Sequence, residues 1–108
     1  MKTTVVNIKY EKCDVYIGRG SKWGNPYKID DKIGMTREHV IELYRSWIMY
    51  TVKGKELQKY LDELKDKSLG CYCVEKSIDF IRDNKRCHGE ILIELIENIE
   101  NGKNLFKL

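Results

Sequence analysis

The apolar residues of this chain switch between strand-like and helix-like spacing, and the order of the switches confines the fold. Thr3 to Ile8 is β-branched and reads as a first strand; Asp14 to Gly18, rich in Val, Tyr and Ile, reads as a second. Glu11-Lys12 between them suits a tight connection, so the two are expected to form a hairpin. Further on the spacing turns helical, with Val40, Tyr44, Trp47, Ile48 and Thr51 on one face. Thr36 is a good cap for that helix, Glu38 suits its first turn, and Met35 can staple onto Val40. Lys53-Gly54 reads as its break, and Leu57, Tyr60, Leu61 and Leu64 mark a second helix ending near Lys67. Ser68 to Val74 reads as a buried third strand, and Ser77 to Asp83 has a weak helical pattern through Ile78 and Ile81. The last helix is expected from about Cys87 to Asn101, with Leu92, Leu95, Ile96 and Ile99 inward and Gly102 ending it. Strands, two helices, a strand and a helix predict an α/β fold: a small sheet of about three or four strands packed with three helices, in a single domain spanning 1–108.

Composition excludes several classes. A chain of 108 residues, 42% hydrophobic and 34% charged with one proline, is globular, and far from disordered or fibrous types. No apolar run approaches the roughly 18 residues of a membrane span. The start, Met-Lys-Thr-Thr-Val-Val, is too short in its apolar part for a secretory signal, so the protein is expected in the cytoplasm. Twenty basic residues against 17 acidic ones leave a net charge of +3, with only short clusters such as Lys85-Arg86. That is no dense basic face, and nucleic acid is not the expected partner. Without export, Cys13, Cys71, Cys73 and Cys87 are expected as reduced thiols, which points to metal, catalysis, or plain burial as small hydrophobes.

Two segments carry the chemistry. The first, Tyr16 to Tyr27, lies in an irregular stretch from Gly18 to Gly34 that holds four of the eight glycines and the proline. Gly18, Gly20 and Gly24 let backbone amides approach a ligand, and Arg19 between two of them offers a planar fork for phosphate or carboxylate. Tyr16, Trp23 and Tyr27 offer flat faces for a base, and Asn25 adds a polar contact. The spacing G-x-G-x-x-x-G, with no helix directly after it, fits neither a dinucleotide fingerprint nor a P-loop. The alternative is a long turn in which Trp23 packs on the core and Asn25-Pro26 sets a bend.

The second segment is Cys71 to Glu90. Cys71 and Cys73, two apart on a strand, face the same way, and Cys87-His88 stands at the expected helix start. Cys71, Cys73, Cys87 and His88 together would make an accepted zinc shell, but C-x-C spacing and adjacent ligands are awkward. Metal is therefore expected to be absent or non-essential, with zinc retained as an alternative. A catalytic reading makes Cys87 a helix-start thiolate, His88 a general base and Glu90 an orienter or acid. The structural reading has Cys87 capping the helix, Glu90 reaching back in a capping box, and His88 filling space beside Leu92. His39 is expected at the surface, and Glu94, Glu97 and Glu100 on a solvated face.

Taken together, Tyr16-Ile-Gly-Arg19, Trp23-Gly-Asn-Pro26, Arg37-Glu38, Tyr44, Trp47, Leu69-Gly-Cys71-Tyr-Cys73 and Cys87-His88-Gly89-Glu90 carry a resemblance. The chain resembles a small phage- and bacteria-associated family catalogued as a domain of unknown function. It departs from that pattern in having Glu90 where an Asp is usual. It also has 13 residues, Val74 to Arg86, in place of a short proline-containing link, which suggests a flap over the pocket. The resemblance implies one pocket made from both segments, in a protein acting within the cytoplasm of a bacterial host.

The expected function is binding of a small phosphorylated ligand, a nucleotide or ADP-ribose-like signal of host defence, which the protein sequesters. Tyr16, Gly18, Arg19, Gly20, Trp23, Gly24, Asn25 and the Cys87-His88-Gly89 helix start would hold it, since helix N-termini accept phosphate. The alternatives are an enzyme acting on a nucleotide or nucleoside through Cys87, His88 or Glu90, and a zinc-stabilised interaction module. Self-association into a homo-oligomer is also expected, because Tyr44, Trp47, Tyr50 and Tyr60 exceed what one side of a small sheet covers.

Overall fold

The computed structural model describes residues 2–74, 76–82 and 84–100. Three strands, β1 (Thr4–Asn7), β2 (Val15–Tyr16) and β3 (Ser68–Cys71), form a sheet in the order β1-β3-β2. Helices α1 (Arg37–Tyr50), α2 (Val52–Gln58) and α3 (His88–Glu100) cover it. The α/β reading holds, with a three-stranded sheet and three helices among the described residues.

The expected hairpin is absent. β1 and β2 each pair with β3, both parallel to it, with Val5 and Val15 on opposite sides of Leu69. A parallel pair cannot be closed by a tight turn, so the chain must instead return from the end of β1 to the start of β2. It does so across β3 at Gly70, where an added Cβ would lie 2.4 Å from both Cys13 Sγ and Ile8 Cγ2. Asp14 fastens the far end: its backbone N–H and carboxylate both bond Ser68, which holds that carboxyl below the usual aspartate range.

α1 begins as its sequence foretells, with Thr36 Oγ1 accepting from the His39 N–H. It ends earlier than expected. Thr51 terminates α1 through its N–H to the Trp47 carbonyl and caps α2 by accepting from the Gly54 N–H. Gly54 is thus not a breaker but a contact, since a Cβ there would sit 2.2 Å from the Trp47 carbonyl oxygen. The second stripe divides into α2 and a 3-10 turn at Leu61–Glu63. Residues 77–82 are not helical; Ile78 makes an antiparallel bridge to Val5 instead. Asn101 and Gly102, the expected end of α3, lie outside the described residues.

α3 is buried more fully than a one-faced stripe suggests. Ile91, Leu92, Ile93, Leu95 and Ile96 are all in the core, while Ile99 is exposed. Glu94, expected on a solvated face, is half-buried and pairs with Arg45 and Lys85. The core also takes Tyr44, whose hydroxyl donates to the Trp23 carbonyl at 2.8 Å. Of the aromatics expected to drive self-association, Tyr44 is therefore internal, whereas Tyr50 and Tyr60 are exposed.

Candidate binding cleft

β2 and β3 end side by side at Tyr16 and Cys71, and α3 starts nearby at His88. The C-terminal edge of a parallel sheet is where α/β folds hold ligands. Here it opens into a cleft of about 350 Å³. One wall is the loop after β2, contributing Tyr16, Gly18, Arg19, Asn25, Tyr27 and Ile29. Arg37, Val40 and Ile41 of α1 form the second side. Tyr72 and Arg86 line it from the segment between β3 and α3, and Cys71, Cys73, Cys87 and His88 complete the lining.

The lining carries three cations. Arg19, Arg37 and Arg86 all face the cleft, and no carboxylate is among its described lining residues. Arg37 Nη1 donates to the Arg86 carbonyl at 3.0 Å, which ties α1 to the segment before α3. Aliphatic and tyrosyl surfaces occupy much of the rest, so the cleft offers apolar faces beside cationic forks.

Three of its cysteines form one cluster. The Sγ atoms of Cys71, Cys73 and Cys87 all lie within 4.8 Å of one another, and Cys71 and Cys87 are 3.0 Å apart. The Cys73 N–H donates to Cys71 Sγ at 3.5 Å, and the Gly89 N–H to Cys87 Sγ at 3.4 Å. Hydrogen bonds from Cys71 and Cys87 draw Cys73 down to about 2, with His88 and Arg37 adding smaller charge effects. The same contacts push Cys71 and Cys87 up, Cys71 chiefly through Cys73 and Cys87 chiefly through Cys71. Cys73 is the half-buried member of the three, and all three line the cleft.

The chain is matched over residues 2–98 by the model of a single family. It belongs to the domain family of unknown function DUF4326. The DUF4326 chain is 36% identical over 100 residues to an uncharacterized protein of Acanthamoeba polyphaga mimivirus, covering 83% of this chain and 72% of that one. It is also 32% identical over 96 residues to an uncharacterized 12.4 kDa protein from the nrdA-td intergenic region of Enterobacteria phage T4, covering 88% and 78%. No solved structure matches it.

Within this DUF4326 domain the residues singled out from sequence divide into two groups. Tyr16, Gly18, Arg19, Asn25, Cys87 and His88 line the cleft. Trp23 does not: it is buried in the core, with its indole N–H donating to Glu63 at 3.3 Å, so its face is unavailable for stacking. Gly20 shapes an exposed turn at a φ of 90°, and Gly24 fits under the Gly18 carbonyl, neither lining the cleft. Gly89 packs α3 against Ile17 and Val5, which removes it as a phosphate contact.

The catalytic candidates are similarly committed. Glu90 is fully buried and accepts from the Arg82 guanidinium and from the backbone N–H groups of Arg86 and Cys87. That is the capping-box reading, reinforced by an ion pair, and it leaves no oxygen facing the cleft. His88 Nε2 lies 2.7 Å from the Ile17 carbonyl and therefore carries the proton, while Nδ1 stands 3.9 Å from Cys87 Sγ. Burial lowers the basicity of His88, and the bond to Ile17 offsets this only in part. Cys87, expected to be the reactive thiolate, is buried, and the neighbouring Cys71 and Cys73 together with that burial push it up instead.

Sequence reasoning missed Arg37 and Arg86 as cleft residues. A signal existed: a cation at the start of a helix opposes the macrodipole, and both α1 and α3 have one there. Tyr72, Ile29, Val40 and Ile41 carried no such mark.

Proposed function

We propose that the cleft binds a small phosphorylated ligand with a flat ring, a nucleotide or ADP-ribose-like compound, and holds it without turnover. The observation that carries this reading is the convergence of Arg19, Arg37 and Arg86 on a largely apolar and tyrosine-lined cleft with no carboxylate among its described lining residues. Guanidinium forks bind phosphate in two-pronged fashion, and adjacent aromatic and aliphatic faces suit a base. Glu90 and His88 are committed to the fold, which favours binding over acid–base chemistry. With relatives in two viruses, the ligand we favour is a host nucleotide signal withheld from its receptor.

Mass spectrometry of small molecules released on denaturation identifies what the purified protein carries. Calorimetric titration with ADP-ribose and AMP then measures affinity directly. Arg19 is exposed and makes no hydrogen bond among the described residues, so Arg19→Ala should weaken binding without moving the melting temperature. The expected loss is about 1.5–3 kcal/mol, roughly ten- to hundredfold in Kd. Arg19→Lys should recover part of it, since an ammonium lacks the fork. Equal affinity in wild type and Arg19→Ala would remove the anion reading, and conversion of the ligand would make the protein an enzyme.

A further inference from the structure

Beyond the anion cleft, and independently of it, we infer that Cys71, Cys73 and Cys87 bind a zinc ion whose fourth coordination position faces the cleft. The three sulfurs come from two chain segments: β3 and the residues just after it, and the residue immediately before α3. They meet within 4.8 Å of one another in a place where two of the three are buried. A tetrahedral zinc–thiolate site with bonds of about 2.3 Å holds its sulfurs about 3.8 Å apart. The cluster is already at that scale, with only the Cys71–Cys87 pair, at 3.0 Å, having to open slightly.

The surroundings suit thiolates. Backbone N–H groups of Cys73 and Gly89 donate to the sulfurs of Cys71 and Cys87. Such donors stabilise sulfur-borne charge, and a bound cation is what makes three thiolates tolerable in one buried spot. Soft sulfur donors select zinc over magnesium or calcium. Three thiolates with one divalent ion leave a single negative charge, and Arg37 lies along the same cleft to balance it.

His88 is outside the three-sulfur group, and its Nε2 is held by the Ile17 carbonyl. The protein therefore supplies three ligands. All three cysteines line the cleft, so the remaining position is open to water or to a ligand oxygen. A zinc ion there would offer a ligand oxygen an open coordination position beside the three arginines.

The C-x-C spacing made a metal look awkward from sequence alone. The chain bends just past β3, and that bend lets Cys73 turn back toward Cys71 across its own N–H···S contact. Cys13 is the natural control, because its sulfur packs against Gly70 rather than in the cluster.

The experiment is titration of the full, reduced, chelator-treated chain with Co2+ and Zn2+. The expected result is one ion per chain, thiolate-to-cobalt charge transfer with the absorption bands of tetrahedral cobalt, and proton release on binding. Cys73→Ser, at the half-buried position, should weaken binding at least tenfold while keeping its helical circular dichroism, and Cys13→Ser should bind as wild type does. If Cys73→Ser fails to fold, the stoichiometry and charge-transfer intensity of the wild-type chain decide alone. Less than one equivalent bound, or equal affinity in Cys73→Ser, overturns the inference. So does recovery of a Cys71–Cys87 disulfide from protein kept with zinc. Failure here leaves the anion reading standing, because Arg19→Ala is measured on a different contact.

Discussion

The two walls of the cleft are held in place by different physics. The loop after β2 is anchored by contacts spread over several residues: Trp23 sits in the core with its indole and the neighbouring Lys22 on the Glu63 carboxylate, Tyr44 donates to the Trp23 carbonyl, and Asn25 Nδ2 donates to the Val40 carbonyl at 3.0 Å. The segment before α3 is anchored chiefly by one buried carboxylate, with the Arg37 bond to the Arg86 carbonyl beside it. Glu90 gathers the Arg82 side chain and two backbone N–H groups, and so fixes where Arg86 and Cys87 stand. A wall spread over many weak contacts yields gradually, whereas a wall resting on one charge fails at once. The contrast also explains why residues that look chemical in the sequence did not all reach the cleft: Trp23 and Glu90 are the anchors of its walls.

The largest expected effect tests the charged wall. Glu90→Ala removes the buried acceptor of two backbone N–H groups together with the ion pair to Arg82, at a cost of about 3–5 kcal/mol in urea unfolding. Glu90→Gln should retain part of that stability through its remaining carbonyl. If Glu90→Ala unfolds at the wild-type midpoint but loses ligand, the residue belongs to the chemistry and the comparison breaks.

The packed wall should respond less. Asn25→Ala removes the bond to Val40 and the support of the Tyr27 N–H, each a neutral contact. About 0.5–1.5 kcal/mol is expected for such a bond, with faster amide exchange in the loop than elsewhere. A loss as large as that of Glu90→Ala would show that this wall, too, hangs on a single contact.

The smallest effect is a pH dependence. His88 is less basic folded than unfolded because it is buried. Below its unfolded value, near 6.5, the unfolded chain binds a proton that the folded one does not. Stability should therefore be complete above about pH 6.5 and fall as pH drops below it. Urea midpoints at neutral and mildly acidic pH check this, with the exposed His39 changed to Asn as the control. Stability that rises on acidification would mean that His88 is charged in the fold and paired with the thiolate of Cys73.

Local signals were read well from the sequence. The Thr36 cap, the position of β3 and the start of α3 depend on neighbours within a few residues, and each lies where the pattern put it. Strand order was not legible, because a connection of this length between β1 and β2 suits a hairpin as well as a crossing, and Gly70 lies far downstream. Gly54 and Gly89 looked like breaker and phosphate contact, but both are close approaches of backbone to a neighbouring element that only the packing reveals. At the candidate site the residue types were legible and their directions were not. Nothing in the order of residues tells whether a tryptophan or a glutamate turns inward, or that Cys87 is buried against Cys71.

The crossing at Gly70 also has a kinetic meaning. β1 and β2 have no bond to each other and meet only through β3, whose pairings join Thr4 to Ser68 and Val15 to Leu69. No part of the sheet can therefore close until more than half of the chain is available, and closing it carries the entropy of those long loops. During synthesis the first strands must wait, unpaired and β-branched, while α1 and α2 form locally beside them. Assembly of the sheet and assembly of the cleft at its edge are then a single late event, set by the arrival of one four-residue strand.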